Sequence, residues 1–167
     1  MATALSTLAF RVVMQAPGIS EPAAEMHLLD TAIDFCRETL PVVADLANIS
    51  VLTGDATYTL TPADAALRVV KVMRATLDGV MLDPAQPDAL PEDWQSKTGT
   101  PTHYFLRNEQ DMVLYPTPDA DATLVVTVAT APTRTATTVD DLLADRWLDG
   151  LVAGALERAL LTPGQPY

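Results

Sequence analysis

The sequence predicts an α+β protein, with N- and C-terminal helices packed as a small bundle and an antiparallel β-sheet or sandwich region inserted between them. Three observations predict it. Apolar residues keep a helical period near both ends of the chain. The middle is a succession of short β-branched segments. Turn residues punctuate that middle too closely for parallel crossovers. The expected division is one domain over 1–167: helical over 1–47 and 138–162, β over 48–132, and a C-terminal arm at 163–167.

The short apolar segment 3–15 fits a helix or a strand, and the 3.6-residue period of Leu5, Leu8, Ala9, Val12 and Val13 favours a helix, closed by Pro17-Gly18. Ser20 is the expected N-cap of the next helix, with Glu21 in the first turn near the positive end of the dipole and Pro22 tolerated there. Apolar residues at 28, 29, 32, 33, 35, 36 and 40 extend it to Leu40, where Pro41 ends or bends it. Strands follow. Ile49–Leu52 and Ala56–Leu60 flank Thr53-Gly54-Asp55, which predicts a hairpin. Leu67–Met73 is β-branched, and Asp78-Gly79 turns the chain into Val80–Leu82. A proline-rich linker (Pro84, Pro87, Pro91) has room for one helical turn around Glu92–Lys97. The segments 99–108, 111–119 and 124–128 then read as three consecutive strands, which makes six or seven in all. Thr138-Val-Asp-Asp141 resembles a capping box. Apolar positions from 139 to 160 predict one continuous terminal helix with a wide buried stripe.

The chain has 167 residues, 49% hydrophobic and 19% charged, enough for a substantial core. Twenty-two acids against ten bases give a formal charge of −12, the reverse of the balance that holds nucleic acid. Such a surface suits a passage through which DNA slides without sticking. The single cysteine makes no internal disulfide, so nothing points to an oxidising compartment. An N-terminus without a basic n-region argues against a secretory signal. No run reaches the ~18 apolar residues of a membrane span. The expectation is a soluble protein made in a cytoplasm.

No residue set assembles a catalytic site. Cys36 lies on an apolar helix face, as a buried structural thiol does; a catalytic thiol needs a base, and neither His27 nor His103 is tied to it by any signature. His103 sits in a strand and reads as a surface or cross-strand residue. One cysteine and two unrelated histidines fall short of a zinc site. Asp111, Asp119 and Asp121 lack the glycine and terminal acid of a calcium loop and read as solvated turn acids. No nucleophile elbow or phosphate-cradling glycine loop is present. Gly150 and Gly154 make one side of the last helix small, either for close packing within the chain or for contact between subunits. No cofactor, metal or catalytic residue is expected, and an enzyme is the weakest reading. A β-sandwich binding module for a sugar or peptide is the alternative, and the scattered Trp94, Tyr104, Tyr115 and Trp147 give it little support.

The helix segment Leu29–Leu40, the strand end Tyr58-Thr-Leu-Thr-Pro62, Gly99–Tyr104, Val113–Asp119 and Ala131-Pro132 before the terminal helix together resemble the head-to-tail adaptor (connector) proteins of tailed bacteriophages. The likeness covers about residues 20–160 and rests on order and spacing. It departs at the first long helix, which lacks the aromatic residue that often follows the Phe35-Cys-x-x-Thr39 segment. The resemblance implies a structural virion protein of the neck, without catalysis, assembled in the host cytoplasm. It implies a ring, commonly of twelve copies, that sits under the portal protein, extends the DNA channel and offers a platform to tail or stopper proteins. Genomic DNA would pass the lumen without specific binding. The matching portal-docking arm would be Leu161, Thr162, Pro163, Gly164, Gln165, Pro166 and Tyr167, whose two prolines suit an extended segment that orders on docking.

Overall fold

The computed structural model describes residues 2–161. Its first elements are a short strand β1 (Ala2–Ala4) and helix α1 (Leu5–Gln15). Leu5, Leu8, Ala9 and Val12 are buried along one stripe of α1, as their spacing predicts. The three residues before it are strand rather than helix. Helix α2 (Glu21–Thr39) begins after Ser20, but the Ser20 side chain accepts no helix N–H; its carbonyl takes the Ala24 N–H at 3.0 Å instead. The expected side-chain cap is therefore absent. Leu40 closes α2 in the left-handed region (φ 51°), and its N–H donates to the Cys36 carbonyl at 3.1 Å. Pro41, which has no N–H to donate, bars continuation.

The strands of the middle region begin at Val43, five residues earlier than the sequence suggests. In order they are β2 (Val43–Asp45), β3 (Ile49–Val51), β4 (Thr57–Thr59), β5 (Leu67–Leu77), β6 (Val80–Met81) and β7 (Asp83–Pro84). Two 3-10 turns follow, Pro87–Ala89 and Trp94–Ser96. Then come β8 (Thr98–Gly99), β9 (His103–Leu106), β10 (Asp111–Tyr115), β11 (Thr117–Pro118) and β12 (Ala122–Pro132). One sheet runs β2-β12-β5-β6, with β3 also on β12; another runs β4-β10-β9-β7; β8 pairs with β11. Side chains from the two larger sheets meet in one core that includes Leu60, Val69, Met112, Leu114, Leu124 and Val126. The Asp78-Gly79 turn forms as expected, with both residues at positive φ, and closes the β5–β6 hairpin.

Two expectations fail here for physical reasons. The hairpin across Thr53-Gly54-Asp55 does not form: β3 pairs with β12 and β4 with β10. Long-range bonds take over the turn. The Asp121 carboxylate accepts the Thr53 N–H at 2.9 Å and its hydroxyl at 3.0 Å, and the Gly54 N–H donates to the Pro118 carbonyl at 2.8 Å. The sheets are also not wholly antiparallel, because β7–β9 and β8–β11 pair in parallel. The proline-rich stretch between β7 and β9, with its two 3-10 turns, is long enough to bring the chain back in the same direction. Several strands of two or three residues lie below what sequence periodicity resolves, hence a larger number than predicted.

Beyond β12 the chain forms β13 (Thr138–Asp140), α3 (Asp141–Arg146) and α4 (Leu148–Leu160). The expected capping box is replaced: Thr138 lies in β13, paired antiparallel with β1, and Asp140 is the N-cap, its carboxylate accepting the Leu142 N–H at 2.8 Å. The expected continuous terminal helix is broken at Trp147 (φ −121°, ψ 10°). Trp147 serves both halves. Its N–H donates to the Leu143 carbonyl at 3.0 Å, and its carbonyl accepts the Leu151 N–H at 2.9 Å. Its ring packs on Phe35 with centroids 5.1 Å apart. By internal contacts the chain divides into two compact units, one from the termini up to Val42 and from Thr130 onward, the other Val43–Ala129. In the first, α1, α2 and α4 pack on one another.

The Tyr58 hydroxyl anchors the turn that replaces the predicted hairpin: it donates to the Asp55 carbonyl at 2.6 Å and accepts the Leu52 N–H at 3.2 Å. Tyr58→Phe is expected to lower the free energy of unfolding by about 1–2 kcal/mol, the cost of stranding those groups. Urea denaturation followed by circular dichroism measures it, and an unchanged midpoint would contradict this role.

Candidate functional site

The chain's surface, more than any cleft, carries its candidate function. Cys36 is fully buried on α2, and burial first, then the nearby Asp140 carboxylate, pushes its thiol up to about 11. A thiol held protonated this firmly is a poor nucleophile. His27 lies on α2 and His103 on β9. His103 is a cross-strand residue as expected: it faces Tyr115 in register, ring centroids 6.3 Å apart, and shares a 2.8 Å hydrogen bond with the Thr102 hydroxyl.

Of the three acids singled out by sequence, Asp111 and Asp121 are engaged by hydrogen bonds. Asp111 accepts from the Asn108 side chain at 2.7 Å and from the Thr59 hydroxyl at 3.0 Å. The two Thr53 bonds hold the Asp121 carboxyl below the usual carboxylate value. Asp119 lies exposed in the loop after β11. Among the described residues no group of three or more His, Cys, Asp or Glu side chains is arranged to hold a metal ion.

The two glycines of α4 occupy different settings. A Cβ at Gly154 would lie 2.6 Å from the Thr31 methyl on α2, so this glycine lets two helices of the same chain touch. The Thr31 hydroxyl donates to the His27 carbonyl at 2.7 Å, which fixes the rotamer and holds the methyl in place. Gly150 faces open space and is exposed. Of the expected arm, Leu161 is the 73%-exposed C-cap of α4; Thr162 to Tyr167 lie outside the described residues.

Sequence reasoning missed the exposed apolar side chains. Phe10 and Met14 stand four apart on α1, 65% and 66% exposed, and Leu160 adds another at the end of α4. The first pair was detectable as a second apolar row on α1, outside the 5, 8, 9, 12 stripe. In the β-unit the tip strand β6 exposes Val80 and Met81. Large apolar groups left in water at such positions are what partner surfaces offer. Ion pairs among the described residues of the helical unit lie at the surface. Arg11–Asp149 at 3.6 Å and Arg134–Asp30 at 3.8 Å join elements of the helical unit, as does the closer Arg158–Asp34 pair, and exposed pairs of this kind add at most about 1 kcal/mol each. Among the described residues no helix is long and apolar enough to cross a membrane.

A family model described as SU10 adaptor protein matches residues 3–166 of this chain. No curated protein matches it.

Two measurements test these placements. Gly154→Ala should destabilise by about 1 kcal/mol net, since overpacking costs about 1–3 kcal/mol and helix propensity returns up to about 1. Gly150→Ala should be neutral or stabilising by up to about 1 kcal/mol. Thr31→Ala combined with Gly154→Ala should recover the loss in a double-mutant urea series, and equal effects at both glycines would contradict the packing role. For Cys36, the raised value means the thiol favours the fold below its ordinary value near 9, and that contribution is lost as pH rises through about 11. At pH 8 its reaction with a disulfide reagent should be about a hundredfold or more slower in the native protein than in urea, as a two-unit rise implies. Equal rates would contradict its burial.

Proposed function

This chain belongs to the SU10 adaptor protein family, a phage adaptor family, and we propose that it acts as the head-to-tail adaptor: a ring of twelve copies under the portal protein that prolongs the DNA channel and gives tail or stopper proteins their platform. The observation that carries this reading is the family match over residues 3–166, nearly the whole chain. It accords with the resemblance carried by 20–160. A virion component with a structural role follows from the family, and the ring, its copy number and its position are the proposal.

The physical chemistry supports it in three ways. A charge of −12 per copy makes a lumen that repels the DNA backbone, so the genome passes without adhering. The helical unit, formed from both chain ends, suits a ring-forming frame of bundled helices. Exposed Phe10, Met14, Leu160 and Leu161 supply apolar area for neighbours. Gly150, exposed and without a side chain, is the better subunit-contact candidate, because Gly154 is already spent on Thr31. In this proposal the arm from Leu161 to Tyr167 docks on the portal. In this proposal residues 1–167 act as a single domain, although the chain divides into two compact units that meet in sequence at Val42–Val43 and within strand β12.

Mutual repulsion at this charge opposes premature self-assembly. Native mass spectrometry at physiological salt should show mostly monomer, and negative-stain microscopy after mixing with purified portal should show a second ring. A stable twelve-copy ring without portal would overturn the assembly order, and no complex of any kind would overturn the adaptor reading.

A further inference from the structure

A hollow of about 270 Å³ opens in the β-unit between the β5–β6 hairpin, the loop before β9 and the loop after β11. Leu77, Val80, Pro101 and Ala122 give it apolar lining, and Asp78, Asp119 and Asp121 also line it. Among the described residues no Lys or Arg joins the lining. Val80 is 69% exposed here, and Met81, its neighbour in β6, is 60% exposed. The walls are built in advance of any partner. Asp78 (φ 48°) and Gly79 (φ 83°) fix the hairpin turn. The Asp78 N–H donates to the Thr123 carbonyl at 2.9 Å, and the Asp78 carboxylate accepts the Thr123 N–H at 2.8 Å. The two Thr53 bonds hold the Asp121 loop.

We propose that this hollow docks an extended segment of a partner protein, one that inserts an aliphatic side chain and sets Lys or Arg beside it. The size argues for a single side chain, since sites for cofactors and drug-sized ligands run to about 300–1,000 Å³. The apolar lining takes an apolar group, whose burial is the favourable term. The three carboxylates set the sign of the flanking charge by complementarity, raising the association rate of a basic segment and rejecting an acidic one. A second copy of this chain, at −12, is the less favoured occupant on charge. The inference concerns the chemistry of a partner and stands apart from the ring: a failed portal mixture leaves it intact, and its own failure leaves the adaptor reading intact.

The test uses the full chain with labelled methyl groups and two synthetic peptides, Gly-Lys-Leu-Lys-Gly and Gly-Glu-Leu-Glu-Gly. The basic peptide should shift the Leu77, Val80 and Ala122 methyl signals saturably, and the shifts should shrink as salt rises. Asp119→Lys should weaken binding about three- to fivefold, the range of an exposed charge pair. Val80→Ser, at an exposed position that leaves the fold alone, should weaken it as well. Equal shifts with both peptides, or none with either, would overturn the proposal. So would shifts of the same methyls with protein concentration alone, which would assign the hollow to self-contact.

Discussion

Strand β12 is the constraint on which the rest depends. It lies between β2 and β5 in its sheet and also carries β3, so its backbone is committed on both edges. Leu124, Val126 and Val128 are completely buried in the core, and Ala129 to Pro132 are buried without alternation. A slip of one residue would turn the Leu124–Val126–Val128 row out of the core, so the register is strongly specified. The same strand runs on into the helical unit, where the Thr130 N–H donates to the Val42 carbonyl at 2.9 Å. One continuous stretch of backbone therefore sets the β-core register and starts the return to the terminal helices.

In the helical unit the equivalent constraint is the approach of α2 and α4 at Thr31 and Gly154. Glycine costs helix stability, by about 1 kcal/mol against alanine. It is used where a methyl would collide with a side chain already fixed by its own hydrogen bond. The surrounding ion pairs are exposed and weak, so close packing between these helices carries the burden. The opposite row of α1 and the end of α4 present apolar groups outward, with Phe10, Met14, Leu160 and Leu161 exposed.

The parts of this fold legible in the sequence are those governed by local pattern. The 5, 8, 9, 12 row gave α1 and the stripe from 28 to 36 gave α2; Asp78-Gly79 gave its hairpin because positive φ at both residues is a local demand. Other features hang on contacts remote in sequence. Thr53-Gly54-Asp55 has the composition of a hairpin turn, yet Asp121, 68 residues away, decides what it joins. Trp147 breaks a helix whose apolar period continues across it, and its ring packs on Phe35 in a different element. Asp140 displaced Thr138 as the cap because β13 draws Thr138 into a pairing with β1. The candidate surface was only half visible for the same reason: periodicity names the buried row, and an exposed Phe10 or Val80 declares itself only when the core is complete.

A chain that joins heads to tails should reveal itself in the genetics of infection. Cells infected with a phage whose copy of this gene carries an early stop codon should accumulate heads and tails that remain unjoined by electron microscopy, and supplying the wild-type chain should restore infectious particles. Complete, infectious virions formed without the chain would contradict the claim.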